Sequence, residues 1–146
     1  MSNPNLNPSL RAVVIMAMAA SANAAGEHAT GGVDMSEFDN VEVIASIGAF
    51  GASATGTLKF QQSKTADFAE VKDIENRTAL VLVENMPAVV DLNQGELDIN
   101  EGYQYVRAVL TATTESITAG LVVLGFDARH APAEPMAGTV VDTRAA

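Results

Sequence analysis

Residues 102–129 read GYQYVRAVLTATTESITAGLVVLGFDAR. Two apolar, β-branched runs flank a polar Thr/Ser/Glu turn. In the first run Val106, Ala108 and Leu110 share one face, the period of two that marks a half-buried strand. The pattern predicts a β-hairpin at the centre of the fold, with every other segment packed on or beside it.

Working outward toward the N-terminus, Asp91–Glu101 reads as an acidic turn region around Gly95. Ala79–Val83 is a continuous apolar run, suited to a strand covered on both faces. Pro87 follows it and belongs at a sheet edge; Val89 and Val90 resume pairing. Val41–Ile47 is a clear strand, with Val41, Val43, Ala45 and Ile47 on one face and Glu42, Ile44 and Ser46 on the other. Gly48–Gly56 is a glycine-rich hairpin loop. Thr57–Gln62 returns with Leu58 and Phe60 inward, and Phe68, Val71 and Ile74 start a further short strand. Val33–Asp39 is a connector that lays Phe38 on the core edge, and Ala19–Gly32 reads as a long loop. Leu10–Met18 reads as a first strand on Val13, Val14 and Ile15, although its alanines would permit a helix.

Seven to nine short strands separated by turns predict an all-β fold, a single β-sandwich or jelly roll of antiparallel strands. Residues 10–130 form the sandwich. Residues 1–9, with Pro4 and Pro8, are an N-terminal arm, and residues 131–146 are a C-terminal arm whose apolar content centres on Val140 and Val141.

The chain has 146 residues, 48% of them hydrophobic but only 5% aromatic, so the core must be aliphatic. Its formal charge of −10 repels phosphate and disfavours nucleic acid as a partner. The absence of cysteine excludes disulfides, thiolate metal sites and a cysteine nucleophile. Arg11 followed by AVVIMAMAASANAA also has the layout of a short secretion signal with a small-residue site at Ala22–Ala24. That run is too short to span a bilayer, and no membrane partner is expected.

The chemistry-bearing residues form no recognisable site. A calcium loop counted from Asp91 places Asn93 correctly, but Gly95 falls at the fifth position and Gly102 at the twelfth, where glycine and glutamate are needed at the sixth and twelfth. His28 and His130 have no ligand spacing. Ser116, His130 and Asp127 could be combined as a triad on paper, but no nucleophile elbow is present. Glu96/Asp98 and Asp73/Glu75 are paired carboxylates of the kind that any acid-rich chain offers. No metal, cofactor or enzymatic activity is expected.

One resemblance adds to this reading. From Tyr103 to Ala133 the chain is similar to the C-terminal part of small virion proteins of tailed bacteriophages. In that group a strand with a Tyr–Val/Leu–Arg core is followed by a turn. A last strand then leads into an ending with Gly, Arg, His or Tyr, and Pro. Here these are Tyr105, Val106 and Arg107, then Gly125, Arg129, His130 and Pro132. Gly31–Ser63 resembles the same group's Gly–Val–Asp opening, glycine-rich hairpin and Leu-x-x-Gln-x-Ser strand. Lys64-Thr65-Ala66 departs from the acidic turn usual there, and residues 134–146 have no counterpart.

The resemblance implies a capsid cement or decoration protein of jelly-roll type, made in the host cytoplasm and held on the outer surface of the virion. Its partners would be the major capsid protein and further copies of itself, as a dimer or trimer. Candidate assembly contacts are Pro4, Leu6, Pro8, Phe126, Arg129, His130, Pro132, Val140 and Val141. The alternatives are a low-copy head–tail connector, tail or fibre-base component, and a secreted carbohydrate-binding β-sandwich.

Overall fold

The computed structural model describes residues 12–128. They form ten strands: β1 (Ala12–Asn23), β2 (Gly26–Ala29), β3 (Val33–Asp34), β4 (Phe38–Phe50), β5 (Thr55–Ser63), β6 (Val71–Asp73), β7 (Leu80–Val81), β8 (Ala88–Asn93), β9 (Tyr105–Thr113) and β10 (Ile117–Ala128). One sheet has the order β1-β10-β4-β8. The other runs β2-β9-β5-β6, with β3 also on β9 and β7 also on β5. All pairings are antiparallel. The chain alternates between sheets along its length, which is jelly-roll topology. The all-β sandwich expected from the sequence is therefore the fold. The strand count exceeds the predicted range because β3 and β7 are two-residue edge pieces.

The stretch 102–129 needs a correction. β9 and β10 do not pair with each other. β9 lies in the middle of one sheet and β10 in the middle of the other. Residues 114–116 carry the chain across the sandwich, with Thr114 at φ 76°. Gly48–Gly56, predicted as a hairpin loop, likewise joins strands of opposite sheets. The two crossings brace each other: Gly51 N donates to Ser116 O at 2.8 Å, and Ala52 N to the Glu115 carboxylate at 2.7 Å. Alternating sequence reports which side of a strand is dry, and that side is the same whether the next strand lies beside it or across the core.

Two further segments differ from expectation. The loop predicted for Ala19–Gly32 is largely strand, as β1 runs on to Asn23 and β2 follows. Small side chains there accommodate two register shifts against β10, between Val14 and Met16 and between Met18 and Ser21. Asn23 fixes the end of β1 by donating to the carbonyls of Ile117 and Ala119. The run Ala79–Val83 is not a doubly covered strand. Only Leu82 is buried, and Val81 is 70% exposed. This segment crosses from the edge of one sheet toward the edge of the other, so only one side chain can reach the core.

The interior is aliphatic. Val13, Ile15, Val41, Val43, Leu58, Val106, Leu110, Leu121 and Val123 are all buried, with Phe38 closing one end. The largest fully enclosed polar side chain is Gln62. Gln62 accepts from Asp98 N at 2.9 Å and donates to the Asp98 carboxylate at 3.1 Å, which satisfies it and fixes the 98–101 turn.

Candidate interaction surface

The outer face of the β1-β10-β4-β8 sheet follows from register. Inward positions of β4 and β10 are apolar, so their alternates point outward. Across the sheet these alternates line up in rows. Ala17, Val122, Ile44 and Val89 form one. Val14, Leu124, Glu42 and Asp91 form the next, and Ala12, Phe126, Asn40 and Asn93 the third. The first row is entirely apolar, with Ile44 37% and Val89 57% exposed. Val81, Val83 and Met86, on the segment that leads into β8, are exposed as well. An exposed apolar strip of this kind is a candidate interaction surface.

The strip ends in an acidic cleft of about 360 Å³ lined by Asn40, Glu42, Asp91, Glu96, Phe126 and Asp127, among others. Asn93 Nδ2 donates to Asn40 Oδ1 at 2.8 Å, and Asn40 Nδ2 donates to Asp127 Oδ2 at 3.0 Å. Glu42 and Asp91 sit directly opposite on paired strands, an unfavourable like-charge register. Arg77 offsets it, lying 3.7 Å from Asp91 while gripping Glu96 in a two-point fork at 2.8 and 2.9 Å. Glu96 also closes a capping box, accepting from Asn93 N at 2.8 Å.

The Arg77 fork, supported by the Asn93 N–H, holds the Glu96 carboxyl below its ordinary range. In the fold Glu96 binds its proton less readily than in the unfolded chain. Its stabilising effect is therefore full above the ordinary value near 4.5 and disappears as pH falls through the lower folded value. Both side chains are about one-third exposed, which limits the effect to below about 1 kcal/mol. In urea titrations at about pH 6 and pH 3, Arg77→Met should show a smaller loss of stability on acidification than the wild type. An equal loss in both would show that the fork contributes nothing.

Of the predicted contacts, only Phe126 lies within the described residues. It is half-buried on the outer face and lines the acidic cleft. Pro4, Leu6, Pro8, Arg129, His130, Pro132, Val140 and Val141 lie outside the described residues. The carboxylates considered for catalysis have other partners: Asp73 pairs with Lys59, Asp98 with Lys72 and Gln62, and Glu96 with Arg77. Lys72 lies 4.4 Å from the centre of the Tyr103 ring, and Arg107 stacks on Phe68 at 4.7 Å. Among the described residues no group of three or more acidic or histidine side chains is placed to hold a metal ion. The exposed outer rows are the candidate surface that the sequence did not reveal. Their signal was Ile44 on the face otherwise read as polar, together with the unbroken run Leu121–Leu124.

No protein-family model and no curated protein matches the chain. Among solved structures it is similar to the coat protein of Tobacco streak virus, at 13% identity over 90% of this chain and 95% of that one, with a TM-score of 0.42. It is also similar to the Cowpea mosaic virus top component, naturally occurring empty particles, at 14% identity over 97% of this chain and 95% of that one, with a TM-score of 0.38.

Proposed function

We propose that this protein is a virion structural component, a cement or decoration protein on the outer surface of a tailed-phage head. The observation that carries this reading is the exposed apolar strip Ala17, Val122, Ile44 and Val89 on the outer β1-β10-β4-β8 face. It is a surface built for attachment. The phage-like motifs support the same role: Tyr105, Val106 and Arg107 fall on β9, Gly125 on β10, and Leu58, Gln61 and Ser63 on β5. The charge of −10 suits a position away from packaged DNA. Attachment of each copy to more than one major capsid subunit would let modest contacts hold the protein firmly on the shell.

Quantitative protein analysis of purified particles tests this. The protein should be present in a number comparable to the major capsid subunits. A handful of copies at one vertex would transfer the role to a head–tail connector or tail component, and absence from particles would end the virion reading.

A further inference from the structure

Five rows cross the outer face of the β1-β10-β4-β8 sheet, and the apolar one is the middle. On one side of Ala17, Val122, Ile44 and Val89 lie the two rows that carry Glu42, Asp91, Asn40 and Phe126. On the other side Gly120 stands opposite Ser46, and Ala22 opposite Thr118. Those positions are small and uncharged, and Ser46, Ala22 and Thr118 are exposed. No lysine or arginine stands in any of the five rows. The outward face of the other sheet is already occupied by its own side chains. Val109 points outward on β9, outside the core cluster, yet is 0% exposed. On the same face Arg107 bonds Gln61 and stacks on Phe68, and Lys59 pairs with Asp73.

We propose that the middle row packs against the same row of a second copy, with the twofold axis along the row. Sheet faces of small and aliphatic side chains pack on one another at about 10 Å. The axis decides which residues meet. With the axis along the strands, Glu42 and Asp91 would face the same carboxylates of the second copy. With the axis along the row, each flank meets the opposite flank. The row of Glu42 and Asp91 then lies over Gly120 and Ser46, and the row of Phe126 and Asn40 over Ala22 and Thr118. Each acidic row stands two residues, about 6.8 Å, from the axis, so the two end about 14 Å apart along the strands. That exceeds the screening length of about 10 Å at 0.1 M salt. Such an interface uses the same patch on both copies and closes at two.

The face is large enough for this. Four strands at about 4.8 Å span about 19 Å, and five rows at about 6.8 Å span about 30 Å. β8 reaches three of the rows, at Val89, Asp91 and Asn93. One copy thus offers roughly 500 Å² and a pair about 1,000 Å², the lower limit for a specific interface. This deepens the reading above, on which it rests for the oligomer: it gives the row its first occupant. A pair would meet the shell with two copies at once, which strengthens attachment.

Sedimentation of the full-length chain at rising concentration, without particles, should show a monomer–dimer equilibrium. Ile44→Thr/Val89→Thr keeps β-branched side chains at exposed positions but removes apolar contact. It should weaken the dimer at least about tenfold and leave the melting temperature at dilution unchanged. Ser46→Lys reads the axis. It places a cation over the second copy's Glu42 and Asp91, so it should strengthen the dimer by about threefold to tenfold, an effect that fades in salt. With the axis along the strands, the two lysines would face each other and weaken the dimer. Three results would overturn the proposal. The first is a full-length chain that stays monomeric at about 0.1 mM, as when its own terminal segments or only a foreign partner cover the row. The second is a dimer that survives Ile44→Thr/Val89→Thr. The third is Ser46→Lys leaving association unchanged or weaker. A monomeric chain abundant in particles would sink this inference alone, and a dimer absent from particles would sink the virion reading alone.

Discussion

Phe38→Ala is expected to lower stability by about 3–5 kcal/mol, the largest effect of any single truncation considered. Phe38 is 3% exposed and opens β4, where its ring closes one end of an otherwise aliphatic core. The ring is seated on a gap. A Cβ at Gly125 would lie 2.5 Å from Phe38 Cδ1 and 2.8 Å from Ile15 Cδ1. The missing side chain on β10 is therefore filled by the ring from β4. Gly125→Ala should cost about 1–3 kcal/mol by overpacking. The two changes should not add. In Phe38→Leu/Gly125→Ala the smaller side chain leaves room for the methyl group, and a double-mutant cycle in urea should give a coupling of about 1 kcal/mol or more. Additive effects would mean that the ring does not occupy the glycine's place.

Gly120→Val should be nearly as damaging, for a different reason. A Cβ at Gly120 would lie 3.0 Å from the Ala20 backbone N and Cα and 3.2 Å from the Met18 carbonyl. These are main-chain atoms of β1 beside its second register shift, so no rotamer can move aside. Valine favours strands, but that preference is worth at most about 1 kcal/mol. The clash should outweigh it, costing about 3 kcal/mol and lowering the melting temperature by roughly 10 °C. Amide exchange should accelerate first in residues 17–22. A melting temperature unchanged or raised would show that β1 yields freely at this point.

The faces of the strands were legible in the sequence, and their partners were not. Val41, Val43, Ala45 and Ile47 point into the core as their spacing required, as do Leu58 with Phe60 and Val106 with Ala108 and Leu110. That spacing records contact with the interior, which is local. Pairing depends on where the chain goes after each turn, and both predicted hairpins proved to be crossings between sheets. Ala79–Val83 misled for a related reason. Its apolar residues suggested burial on two sides, yet only Leu82 reaches the core, and Leu80, Val81 and Val83 are exposed. The exposed outer face was only partly legible. Phe126 was identified and does line the cleft, but the row through Val122, Ile44 and Val89 exists only once three strands are in register.

The position of β10 also dictates the order in which this molecule can come into being. β1 and β4 do not pair with each other; each is hydrogen-bonded to β10, the last strand of the described residues. Until Ile117–Ala128 has left the ribosome, β1 has no partner, β4 has only β8, and the apolar row through Val122 does not exist. The β2-β9-β5-β6 sheet has all its strands once Thr113 is made, while the sheet that covers it still lacks its β10 strand. Synthesis of β10 thus completes the four-stranded sheet, its buried face and its outer apolar row in a single event.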